Sequence, residues 1–145
     1  MQLTKNFTLK EMIASYTAKR RGYDNTPSAK IINNLQTLCE QILQPIRDEW
    51  RAPIIVGSGY RCPKLNAAVG GVKNSDHLYG CAADIHTLGD LPANNYCLFL
   101  LVQDMVKRGE LPMLKQLIDE YNYDWLHISF QDGRTKKYGQ ILHIK

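Results

Sequence analysis

The sequence lacks the marks of several common site classes. Its four cysteines, Cys39, Cys62, Cys81 and Cys97, contain no Cys-x-x-Cys pair, so the spacing of a cysteine-rich structural zinc site is missing. There is no Gly-x-Ser-x-Gly elbow and no cysteine in a recognised nucleophile motif. Gly70-Gly71 is glycine-rich but fits neither a P-loop nor a dinucleotide fingerprint. No apolar run approaches membrane-spanning length, so no membrane insertion is expected. The opening MQLTKNFTLKEM has no apolar leader region, which predicts synthesis in the cytoplasm without a signal peptide. If the target lies in a cell wall, another agent must release the protein. Internal repeats, low-complexity segments and linkers are also missing.

What is present is ordinary in bulk. A chain of 145 residues is expected to form one domain over 1–145. That length buries about two-thirds of the unfolded surface and needs no staples. Hydrophobic residues make up 44% and charged residues 22%, the balance of a soluble globule. The net charge of +4 is compatible with an acidic polymer as target. No nucleic-acid motif accompanies it, so nucleic acid is not an expected partner. A monomer is expected. Cys39 and Cys97 fall on apolar helical faces and are expected to be buried. Cys62 and Cys81 lie in the central stretch, and their separation in space is left open. All four read as free thiols of a reducing compartment.

Local signals predict an α+β chain. Thr8 and Glu11 form a capping box, with Phe7 and Met12 as its hydrophobic staple. That helix should run toward Gly22. A second helix should start at Thr26-Pro27, with Pro27 at the first helical position, and carry Ile31, Leu35, Leu38, Ile42 and Ile46 inward. Pro45 should kink it. Pro53 to Val56 and Ala82 to Ile85 read as buried strands, and Pro63 to Val69 as a short helix ended by Gly70-Gly71. Pro92 to Lys107 reads as a further helix, bounded by Gly109. Leu114 to Tyr121 and Trp125 to Phe130 read as strands joined by a tight turn at 122–124. The basic tail after Gln131 is either an ordered edge or a frayed end.

The informative stretch is Ser58 to Ile85, SGYRCPKLNAAVGGVKNSDHLYGCAADI. It holds His77-x6-Asp84, with Gly80 between them to let the chain turn. Downstream, WLHIS supplies His127. Imidazole, carboxylate and imidazole form a catalytic zinc set with a position left for water. Asp84 and His86 share a strand face, so the residues alone leave His86 as a competing ligand or a supporting partner. His143 reads as solvated. Asp124, three residues before His127, is a candidate base. Residues three apart on a regular strand face opposite sides, so the two converge only if Asp124 lies in the turn or at a bulge. Tyr60 and Trp125 are candidate pocket walls, and Asp76 a candidate support for a histidine.

These motifs, SGYR, AVGG, Ser75-x-His77-x-x-Gly80-x-Ala82-x-Asp84 and Asp124-x-x-His127, resemble the zinc D-alanyl-D-alanine carboxypeptidase family. That family includes vancomycin-resistance dipeptidases and phage murein endopeptidases. The likeness covers most of the chain, and FTLKEMIAS resembles the small phage-type members. It implies a small antiparallel sheet packed by helices, hedgehog- or D-Ala-D-Ala-peptidase-like, with one zinc on the sheet held by His77, Asp84 and His127. It further implies Asp124 and Arg61 as the catalytic residues, Arg61 facing the substrate carbonyl, and Ser75, Tyr60 and Trp125 against the substrate. Many relatives carry glutamate where Asp124 stands. The implied partner is the peptidoglycan stem peptide. It is cut either at the terminal D-alanine or within the stem, as a phage or prophage endolysin cuts. The hedgehog signalling domain, which resembles the family, marks the alternative of a non-catalytic zinc-binding module.

Overall fold

The computed structural model describes residues 1–89 and 92–145. Helices α1 (Leu9–Ile13) and α2 (Tyr16–Arg21) open the chain, followed by α3 (Ala29–Leu38) and α4 (Gln44–Trp50). The capping box at Thr8 is formed in both directions, and Phe7 and Met12 are buried beneath it. The helix expected to run on to Gly22 breaks instead at Ala14, whose extended backbone ends α1; Ser15 caps α2 by accepting from the Ala18 amide, and Gly22 ends α2 in the left-handed region. The start of α3 differs from expectation. Ser28 is the cap, its hydroxyl accepting from the Ile31 amide, so Thr26 and Pro27 stay outside the helix.

Pro45 acts through the turn before it. Proline has no N–H for the helical ladder, and its ring crowds the carbonyl four residues back. The chain widens into a π turn over Cys39–Leu43, and the Gln44 amide donates to the Cys39 carbonyl. The helix then resumes as α4, which keeps Ile42, Leu43 and Ile46 all buried. A π bulge is a recognised way to absorb such a defect without ending the helix.

The sheet has five strands, β1 (Ile54–Ser58), β2 (Ala82–Thr87), β3 (Leu114–Glu120), β4 (Trp125–Phe130) and β5 (Gln140–Ile144), in the order β1-β2-β4-β3-β5. Neighbours run antiparallel except β5, which pairs parallel with β3. The expected all-antiparallel sheet is therefore a mixed one. The basic tail supplies the added strand: segment 131–139 leaves β4, crosses the start of β3 and returns along its far edge. Helix α6 (Pro92–Lys107) contacts β2, β3 and β4. Its Leu98, Phe99, Val102 and Met105 join Ile85, Leu117, Leu126 and Ile128 of the sheet in the core. Cys97 is exposed on α6, against expectation, while Cys39, Cys62 and Cys81 are buried free thiols.

Strand alternation leaves the other side of residues 84, 116, 118, 120, 125 and 127 lining a cavity of about 530 Å³. The short helix α5 (Pro63–Ala68) and the 3-10 turn Asp76–Tyr79 lie between β1 and β2 in sequence; the segment from Val69 to Val72 that follows α5 and the start of the 3-10 turn border that cavity. A bulge at Lys115 breaks the ladder between Leu114 and Gln116. It lets both Lys115 and Gln116 reach the cavity, the re-aiming that bulges provide.

Candidate active site

His77 is placed by two close approaches. A Cβ at Gly59 would meet the Met12 carbonyl oxygen at 2.2 Å, so only glycine lets β1 run on against α1 there. The Gly59 carbonyl then takes the His77 Nδ1 at 2.6 Å. At the other end Gly80 closes the 3-10 turn at φ 72°, with the Ile31 backbone against it. Ser75 caps the turn, its hydroxyl accepting from the His77 amide at 3.2 Å. Asp84 and His127 need no such device, because they stand directly opposite in the β2–β4 register.

The geometry demands a cation. A carbonyl can only accept, so the Gly59 contact fixes the proton of a neutral His77 on Nδ1. Its Nε2 lone pair then faces Asp84 Oδ1 at 3.2 Å, acceptor against acceptor. His127 Nδ1 lies 3.0 Å from the same oxygen. One ligand atom from each residue falls within 4.8 Å of the others. Such a cluster is stable with protonated imidazoles or around a metal, and a His-Asp-His donor set suits zinc. Burial alone would raise the Asp84 carboxyl, but the charge of His77 and hydrogen bonds from both histidines hold it well below the usual carboxylate range. The residues therefore fit a divalent metal. His86 takes another course: its Nδ1 lies 2.9 Å from the Thr87 carbonyl, and it is not part of the cluster.

Arg61, Ser75, Glu120 and Trp125 line the same cavity. Burial lowers the Arg61 guanidinium, against the opposing pull of Asp84 and Glu120. Its Nε is buried without a hydrogen-bond partner among the described residues, and one terminal nitrogen makes a long 3.5 Å contact to Ser75. Trp125 does more than wall the pocket, since its indole Nε1–H donates to Glu120 Oε2 at 2.5 Å.

Tyr60 and Asp124 do not line this cavity. Tyr60 is a core residue, buried with Cys62 and Leu65, and the structure does not bring it to the cavity it was expected to wall. Its backbone is what matters here, donating to Met12 and accepting from Asn25. Asp124 is exposed at the end of the hairpin turn. Tyr121, Asn122 and Tyr123 all take left-handed backbone, and the Asp124 amide closes the turn onto the Glu120 carbonyl at 3.1 Å. Trp125 and His127 alternate onto the cavity side, and the Asp124 carbonyl accepts instead from Asn95 of α6. The acid that shares the cavity is Glu120, which pairs with Trp125 across the ladder. Pairing 114–121 with 125–130 across a tight turn already puts these two residues side by side, so the hairpin itself held the signal for Glu120. His143 is half-exposed and pairs with Asp119 at 3.0 Å, away from the metal cluster.

The sequence model of the Peptidase M15 family matches residues 5–108. That is most of the chain. The protein belongs to the M15 peptidase family. The matched span holds Arg61, His77 and Asp84, whereas Glu120 and His127 lie beyond it and join the site through the sheet. No curated protein matches the chain. Membership makes it a peptidase of a metal-dependent family acting on a peptide substrate. Among the described residues no helix is long and apolar enough to cross a membrane.

Proposed function

We propose that this M15 peptidase uses zinc to hydrolyse peptide bonds in the peptidoglycan stem peptide, with His77, Asp84 and His127 as ligands. The observation carrying this reading is the convergence of that donor set with Glu120 and Arg61 on one cavity. Bound there, the metal supplies Lewis acidity and makes water a usable nucleophile near neutral pH. Glu120, and not Asp124, is the general base. In the β3–β4 register it stands diagonal to His127, a separation of roughly 7–8 Å that a long side chain and a water can span. Trp125 holds Oε2, which leaves Oε1 to accept the proton of the attacking water. Glu120 then delivers that proton to the leaving amine nitrogen as the C–N bond breaks. Arg61 meets the negative charge on the former carbonyl oxygen with a planar, partly buried guanidinium whose Nε is free to donate.

The FTLKEMIAS motif, which resembles the small phage-type members, favours a phage or prophage lysis enzyme within this class. Mass spectrometry of purified muropeptides after incubation with zinc-loaded protein tests the function and names the bond. Loss of a single D-alanine marks a carboxypeptidase, and paired fragments mark an endopeptidase. Intact muropeptides after prolonged incubation with protein of full zinc content would overturn the catalytic reading in favour of a binding module.

A further inference from the structure

The metal ligand His77 has a neighbour of opposite character. Asp76 is buried, and it carries two cations. Lys115 Nζ sits 3.1 and 2.9 Å from its two oxygens, reaching it from the bulge in β3. Arg134 donates to Asp76 Oδ1 at 2.6 Å from segment 131–139. The same guanidinium donates through Nε to Asp132 at 2.7 Å and lies 3.8 Å above the Tyr79 ring. Arg134 therefore grips both ends of the turn that presents His77, Asp76 at its start and Tyr79 at its end. Its own segment is held in shape by Gln131, whose side chain bonds Thr135 Oγ1, the Lys137 carbonyl and the Gly133 amide.

Charge bookkeeping separates the two cations. Asp76 and Asp132 against Lys115 and Arg134 make a neutral group of four. Lys115 alone still neutralises buried Asp76, and Asp132 is partly exposed to water. Losing Arg134 thus strands no buried charge. What it removes is geometry: a planar fork with two carboxylates and a ring in fixed directions, which an ammonium cannot reproduce.

We propose that Arg134 is a positioning residue for the metal centre, fixing the turn that holds His77 and tying segment 131–139 to the site. The proposal rests on the reading of His77 as a ligand. Groups that orient a metal's ligands contribute to affinity at the level of 10- to 100-fold. Arg134 acts through the turn and not on the imidazole, so the effect belongs at the lower end.

The test titrates metal-free full-length protein with Zn2+ against a chromogenic chelator and records the melting temperature of each metal-free variant. Arg134→Gln should weaken zinc binding on the order of tenfold while melting cooperatively. Arg134→Lys, keeping charge without the fork, should fall between. Arg108→Gln, which removes an exposed arginine paired with Glu49, Asp104 and Glu110, should leave zinc affinity unchanged. A lower melting temperature in Arg134→Gln with zinc affinity within twofold of the unchanged chain marks a purely structural ion pair and overturns the proposal. If Arg134→Gln does not fold, Arg134→Lys decides alone: weaker zinc binding supports the proposal and unchanged binding overturns it. His77→Ala separates the two readings. If it still binds zinc as tightly, the ligand set is wrong and the proposal falls with it. If it loses zinc while Arg134→Gln keeps it, only the proposal falls.

Discussion

Two carboxylates near the floor of one cavity are neutralised in opposite ways. Asp76 meets Lys115 and Arg134, both permanently charged, and is 8% exposed. Asp84 meets His77 and His127, neither of which carries a fixed charge, and is 17% exposed. A buried carboxylate without a cation is costly, so each must be answered. The first brings its cations with it and has no further capacity. The second is answered only by protons on its imidazoles or by a metal. Of these two neighbouring clusters, one is closed and one is open to an incoming ion. Side-chain identity alone does not separate them, since both are an acid among basic groups. The difference lies in which basic groups, and in the Gly59 carbonyl that fixes the His77 proton on the outward nitrogen.

The strongest test of the open cluster is Glu120→Gln. It preserves the shape of the side chain and removes proton acceptance. Zinc should stay bound while turnover falls roughly 100- to 10,000-fold, the share a positioned acid–base group supplies. Equal metal content and turnover within threefold of the unchanged chain would remove Glu120 from the chemistry.

The closed cluster is probed next by Lys115→Met. It removes the cation that reaches both oxygens of Asp76, in a place where water does not easily replace it. Breaking a buried pair from one side costs about 3–5 kcal/mol, and because Arg134, shared with Asp132, still reaches Asp76 Oδ1, the lower end is expected. The expected outcome is a loss of that size in urea unfolding of the metal-free chain, larger than the loss for Arg134→Gln. Equal losses would mean that Lys115 and Arg134 share the neutralisation of Asp76, and the contrast between the two cations would disappear.

How much of this was legible beforehand depends on the range of the interaction. The capping box, the stop at Gly22, helix α6 and the β3–β4 hairpin follow from neighbours within a turn or two, and the sequence signals for them are direct. The grouping of His77, Asp84 and His127 was implied by the family motifs, whereas the residues alone left His86 as a competitor. Their convergence depends on the β2–β4 register, which sequence spacing does not contain. The parallel β5 was not legible, because its placement comes from Arg134 binding distant Asp76 and from the Gln131 and Gly139 amides donating to the Met113 and Leu114 carbonyls. The core position of Tyr60 was not legible, since an aromatic beside a glycine turn has the same pattern in a pocket wall and in a core. Glu120 was overlooked because the motif count runs along β4, while the cavity is shared across the ladder.

Trp125→Phe sharpens the open cluster further. It keeps the aromatic wall and the tilted ring contact to Tyr121, and removes only the hydrogen bond to Glu120 Oε2. A bond to a charged acceptor is worth about 1.5–3 kcal/mol, so turnover should fall roughly 10- to 150-fold, with zinc content unchanged. A rise in KM without a change in kcat would instead return Trp125 to the role of a plain pocket wall.

The smallest expected effect belongs to Asp124→Asn, and it decides between two acids on one hairpin. Asp124 stands three before His127, the position where many relatives carry glutamate. Yet its side chain is exposed, and it does not line the cavity that Arg61 and the three ligands share. Its backbone serves the turn, with the amide on the Glu120 carbonyl and the carbonyl on Asn95. Asparagine keeps both of those contacts and tolerates a turn equally well. Zinc content, melting temperature and turnover should therefore all stay within about the half kcal/mol typical of exposed substitutions, roughly twofold in rate. A collapse of turnover with zinc retained would make Asp124 the base after all. It would also require the hairpin to rearrange when substrate binds, because the present register gives that place to Glu120. Measured beside Glu120→Gln under the same zinc loading, the pair has one consistent outcome for each assignment: the acid whose amide kills turnover while keeping the metal is the one that takes the proton.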